Sequence, residues 1–264
     1  MGNSITAEQF LVVAGNNGDG TTGLADGDAL AIVVADPEAL EYIVDQTEEV
    51  ALAAVSADGL ALKHVHLQTE AIALAAVTQN GMALKDVAVQ TTEICLAAVG
   101  QNGMALRYSE VRTGGVFLAA VSQNGLSIKF TEQTEAIALA AVGQNGMALK
   151  FVDTHTAEIE LAAVTQNGSA IKFVTMQTKD LSEAAVRQDG MALRFIANKT
   201  NKVCRLAVKQ NGMALRIVRK QTVKLCTLAV KQNPVAVRFV DKDIMAAASV
   251  VWYTLNPPPA EPQP

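Results

Sequence analysis

A cation returns at a near-constant interval along most of this 264-residue chain. Lys63, Lys85, Arg107, Lys129, Lys150, Lys172, Arg194, Arg216 and Arg238 hold equivalent places in nine copies of one pattern. Lysine and arginine heads set in a row offer anion-binding chemistry, charge-assisted hydrogen bonds to carboxylate or phosphate in which no covalent bond changes. On a stacked backbone the row has a spacing of about 10 Å, close to the Debye length at 0.1 M salt, so a plain solvated face is the competing reading. A second concentration of charge lies near the C-terminus. Arg187, Arg194, Lys199, Lys202, Arg205, Lys209, Arg216, Arg219, Lys220, Lys224 and Lys231 stand there against Asp189 alone. Residues 1–150 carry a net charge of −11 and residues 151–264 a net +6, within an overall −5. Such an asymmetry suits an acidic protein partner, the acidic part of a second copy met head to tail, or nucleic acid. No aromatic platform interleaves the C-terminal cations, which argues against stacking of single strands.

Other chemistry is sparse. His64 and His66 stand two apart with His155 far along the chain, no thiol or carboxylate recurs beside them at ligand spacing, and no metal site is expected. Neither a G-x-S-x-G nor an H-E-x-x-H occurs. The Gly- and Asp-rich stretch Gly15–Asp28 lacks the G-K-[ST] of a phosphate loop and the acid register of a calcium loop, and reads as a connection. An active site breaks symmetry, whereas these copies keep it. The expectation is a protein without catalysis and without a cofactor, whose surface meets other macromolecules.

The elements that would carry this surface are written in the repeat, T-x-x-[VIL]-x-x-x-A-V-x-Q-[ND]-G-M-A-L-[KR]-F-V. Its glycine falls at 59, 81, 103, 125, 146, 168, 190 and 212, Pro234 completes the row, and seven of the eight steps are 22 residues and one is 21. Units that recur so closely stack on their neighbours, because none can bury its apolar face alone. In the first half of a copy Thr69 caps a helix, Glu70 suits the first turn, and Ile72, Ala73, Ala76 and Val77 form one stripe. The second half, Met82–Val87, suits either a short strand or a short helix. Asn or Asp always precedes the glycine, and Asn233-Pro234 and Asp36-Pro37 read as an N-cap with proline at the first helical position. Ala83, Leu84 and Val87 also share a helical face. The reading is therefore all-α, a right- or left-handed solenoid of 22-residue two-helix repeats. Its alternative is an α/β leucine-rich-like solenoid with a helix and a short strand per copy. The glutamine ladder Gln79, Gln101, Gln123, Gln144, Gln166, Gln188, Gln210 and Gln232 is expected to be buried and to hydrogen-bond between repeats.

The core A-A-V-x-Q-N-G-M-A-L-[KR]-F-V, with Thr91–Val99 in particular, resembles a short tandem repeat of unknown function in proteins of large DNA viruses and some intracellular bacteria. The resemblance covers roughly residues 37–240. It implies no activity and no catalytic residue, and longer members carry extra helical residues after the equivalent of Val87.

The ends differ from the middle. Residues 1–36 read as an irregular N-terminal cap, 37–243 as the repeat solenoid, 244–255 as a C-terminal cap with Trp252 and Tyr253, and 256–264 as a proline-rich tail. Cys95, Cys204 and Cys226 occupy small apolar places, and adjacent copies hold their cysteines too far apart to bridge, so free thiols in a reducing cytoplasm are expected. No apolar run spans a membrane and no secretory signal is written. Met1-Gly2-Asn3-Ser4-Ile5-Thr6 matches an N-myristoylation pattern on Gly2, without a basic cluster beside it to strengthen a single acyl anchor.

Overall fold

The threonine that begins each copy of the repeat opens an α-helix of ten residues. The computed structural model describes residues 26–245; Gly2, the C-terminal cap beyond Met245 and the proline-rich tail lie outside them. Thr69 shows the local logic: its backbone is extended, and its hydroxyl accepts from the Ile72 N–H, one of the donors that a helix start leaves without a partner. The helix Glu70–Gln79 follows and buries Ile72, Ala73, Ala76 and Val77. Asn80 ends it and starts the next element at once, its side chain accepting from the Met82 N–H.

That second element is Gly81–Asp86, a 3-10 helix. A helix of three residues per turn aligns every third residue, and here Gly81, Leu84 and Val87 make the buried row, with Ala83 beside them. The opposite requirement places Lys85 outside. Six residues at about 2.0 Å rise span about 12 Å, and ten α-helical residues about 15 Å, so the two limbs nearly match and a short extended connector closes the coil. This is how 22 residues hold two helices: the second is wound tightly. Among the described residues no strand occurs, and the leucine-rich-like alternative is not adopted.

The chain divides into two units, Met1–Glu132 and Gln133–Pro264, with the one-residue-short connector of the Gly125 copy at the division. In the first unit the α-helices Asp26–Ala35, Glu48–Ala57, Glu70–Gln79, Thr92–Gln101 and Gly114–Gln123 pack in succession. Their 3-10 partners, Pro37–Tyr42 to Gly125–Phe130, form a second layer. The second unit repeats this with helices from Glu135–Gln144 to Val223–Gln232 and 3-10 helices from Gly146–Phe151 to Pro234–Phe239. Each unit is an all-α solenoid. The segment expected as an irregular N-terminal cap contains the ten-residue helix Asp26–Ala35, which together with Pro37–Tyr42 makes one more coil of ordinary shape.

Neighbouring coils are joined by side chains. Among the described residues the backbone bonds outside regular helix interiors are local, within four residues, because helical backbones satisfy themselves. Gln101 accepts from the Gly81 N–H at 2.8 Å and donates to the Gln79 carbonyl, both on the preceding coil. The same pair of bonds recurs at Gln79, Gln123, Gln166, Gln188, Gln210 and Gln232. The expectation of bonding between repeats holds, but these glutamines are exposed rather than buried, because they lie along the outer edge of the joint.

The glycines serve this joint. Those at 59, 81, 103, 146, 168, 190 and 212 have no left-handed φ, and a Cβ on Gly81 would collide with the Ala98 carbonyl of the next coil. Where the clamp is missing, so is the glycine. Pro37 has no N–H to offer, and twenty residues on stands Ala57.

Replacing Gln101 by Ala strands the partly buried Gly81 N–H, and should cost about 1–3 kcal/mol. Gly81→Ala should cost a similar ~1–3 kcal/mol through overpacking. Urea unfolding midpoints of both variants measure this, and unchanged midpoints would show that the clamp is ornamental.

Candidate functional site

The predicted cations separate onto two kinds of element. The nine-membered row occupies the fifth position of the nine 3-10 helices from Gly59–His64 to Pro234–Phe239, and all nine side chains are exposed. Most of them have a partner within their own layer. Lys63 pairs with Glu38 at 3.0 Å, and Lys85 approaches Asp86 at 3.7 Å. Arg107 lies 4.9 Å over Tyr108, Lys129 4.8 Å over Phe130, Lys150 5.3 Å over Phe151, Lys172 4.8 Å over Phe173 and Arg194 5.0 Å over Phe195. Arg216 and Arg238 have neither kind of contact among the described residues. One ring lies among the C-terminal cations: Phe195 lies under Arg194 and also 5.5 Å from Lys172. Each ring is half-buried and covered by the cation that precedes it in sequence, so these faces are occupied.

The other predicted residues, Lys202, Arg205, Lys209, Arg219, Lys220 and Lys224, lie on the last two α-helices and the connector between them. The helices Asn201–Gln210 and Val223–Gln232 leave a groove of about 610 Å³ between them. Five cations line it, Arg205, Lys209, Lys220, Lys224 and Lys231, with no carboxylate in the wall. Leu206, Leu225 and Leu228 supply its apolar surface, and Asn201, Thr222 and Thr227 its neutral hydrogen-bonding groups. None of the five cations forms an ion pair among the described residues, and all five are exposed. Arg219 lies outside the groove, and Lys231 joins it.

Lys202 is engaged elsewhere. Glu183 replaces the leucine that earlier helices carry at the same place, and its carboxylate is 2.7 Å from Lys202 and 3.3 Å from Arg187. The Lys202 ammonium holds the Glu183 carboxyl below its ordinary range, against the opposing effect of burial. One coil earlier Leu161 holds the same place on a helix without lysine or arginine, so this cluster marks where a face without cations gives way to a basic one.

Helix electrostatics divides these cations further. Lys209 and Lys231 sit in last helical turns, where a positive charge meets the negative end of the helix dipole. Lys224 occupies the first turn, where other copies carry Glu49, Glu93 or Glu158, and there a cation costs about 0.3–1 kcal/mol. Arg205 stands mid-helix with no acidic partner. Local stability accounts for Lys209 and Lys231, and leaves Lys224 and Arg205 without an account.

A second glutamine ladder stands beside the one already described. Gln68 donates to the Asp86 carbonyl and accepts from the Ala88 N–H, both on the following coil. Gln46, Gln90, Gln133, Gln177 and Gln221 do the same at the corresponding corners. The recurring Gln-Thr dipeptide is the signal that could have revealed this. The three cysteines are buried free thiols, and burial pushes Cys204 and Cys226 up, away from thiolate chemistry. Among the described residues no cluster of three metal-ligating side chains occurs, and no helix is long and apolar enough to cross a membrane.

Because its folded-state carboxyl is lowered, Glu183 stabilises the fold above the ordinary carboxylate value of about 4.3, and that contribution is lost as the pH falls through the lowered value. Glu183→Gln should therefore unfold at lower urea than the parent at neutral pH, with the gap closing progressively in acid. A gap that is constant with pH would contradict the ion-pair role.

Comparison of the chain with known protein families, with characterised proteins and with solved structures gave no match.

Proposed function

We propose that the protein is a non-catalytic repeat scaffold that takes an acidic protein partner on the α-helical face of its C-terminal coils. The groove between Asn201–Gln210 and Val223–Gln232 carries this reading, because it combines unpaired cations with aliphatic side chains. A segment with carboxylates along one edge and leucines along the other suits both halves of that wall. Nucleic acid suits it less well: a phosphate backbone uses the cations and has no use for Leu206, Leu225 and Leu228. The 3-10 row plays a secondary part, since most of its cations already lie against rings or carboxylates of their own layer.

The test is fluorescence anisotropy with a labelled amphipathic Glu/Leu peptide, competed by mixed-sequence duplex DNA. The peptide should bind, weaken as salt rises from about 50 to about 500 mM, and lose about tenfold or more in affinity, equivalent to about 1.4 kcal/mol, with Arg205→Glu and Lys224→Glu together. Preferential binding of the DNA, or peptide binding unaffected by the two substitutions, would overturn the proposal.

A further inference from the structure

Resting on that reading, we infer that the acidic partner is a second copy of this chain, which lays the α-helical face of its first unit against the cationic groove. The first-unit helices Glu48–Ala57, Glu70–Gln79, Thr92–Gln101 and Gly114–Gln123 contain no lysine or arginine. Glu49 and Glu93 are exposed in first turns, at the position that Lys224 holds in the groove, and neither forms an ion pair among the described residues. Three residues beyond the position of these acids each helix carries a leucine, and two of these are exposed, Leu96 40% and Leu118 39% accessible. Glycines at 100, 114 and 115 leave open space around them. The face therefore offers carboxylates beside leucines, the chemistry that the groove's cations and leucines would recognise.

Period supplies the second argument. Both faces are built on the same coil, so their helices recur at the same spacing, and a pair of first-unit helices can lie against both helices of the groove without drifting out of register. An unrelated acidic helix meets one groove only. Opposite charge selects the pairing, since two cationic faces or two acidic faces repel.

Sedimentation velocity of the full chain, at about 50 and about 500 mM salt, tests this with two charge-reversed variants. The parent should associate at low salt and dissociate at high salt. Glu49→Lys with Glu93→Lys, and separately Lys209→Glu with Lys224→Glu, should each give monomers with unchanged far-ultraviolet circular dichroism. Mixing the two variants should restore association, because each keeps the face that the other has lost, and a merely misfolded variant would not complement. A parent that stays monomeric at low salt, or association indifferent to both pairs of substitutions, overturns the second copy as partner. If the Glu/Leu peptide still binds the groove in that case, the acidic-partner reading stands alone; if it does not, both fall.

Discussion

The junction at which an α-helix turns directly into a 3-10 helix governs the rest of this molecule. At Asn80 one helix stops and the next begins without a loop, which leaves the carbonyl of Gln79 and the N–H of Gly81 without partners inside their own coil. A single amide from the next coil, that of Gln101, meets both, since glutamine alone among the uncharged long side chains can accept and donate at one end. The orphaned groups of one coil are thus completed by its neighbour. A β-solenoid joins its coils through the backbone; here the backbone is spent within helices, and the joint falls to glutamine. The second ladder, of which Gln68 is one rung, performs the same service at the opposite corner.

This constraint explains why the coil can be so short and so regular. The glycine is needed because the clamp draws the next helix's Ala98 carbonyl onto the space a Cβ would fill, and its φ is ordinary. Small residues follow for the same reason: Ala73, Ala76 and Ala83 are fully or almost fully buried and let the layers close. The pairing of Pro37 with Ala57 shows the coupling in the sequence itself, because where the donor is absent the acceptor is absent too.

Much of this was legible before any coordinates. The threonine caps, the apolar stripe of the first helix, the Asn/Asp–Pro argument against a strand and the stacking of copies all follow from residue type and spacing, and the structure has them. Three features were less accessible. The tight winding of the second helix depends on the period-three row Gly81, Leu84 and Val87, which overlaps an α-helical row over so few residues. The helix Asp26–Ala35 has Ala25 where other copies have the threonine cap, and without that residue its opening is not marked. The separation of the cations onto two layers was hidden because sequence proximity mixes them: Arg216, Arg219, Lys220 and Lys224 are close in the chain, yet the groove takes only Lys220 and Lys224 of these four.

The residues that make the fold and those that make the surface are largely different residues. Within a coil, the cap, the two glutamines, the glycine and the buried alanines and aliphatics set the architecture. The outward helical positions are left free of those duties, which is why one such place holds Leu96 and Leu118 in the first unit and Arg205 and Thr227 in the second without altering the element that bears them. A surface released from folding requirements can adopt any charge, so a charge that opposes local stability needs another cause. Lys224 at a helix N-terminus is such a charge. The first-unit helices hold acids at the equivalent position, as the dipole favours. The reversal of sign at one coil position, on an otherwise unchanged coil, is a property of the surface and not of the fold, and the proposed association through that surface would give both signs a purpose.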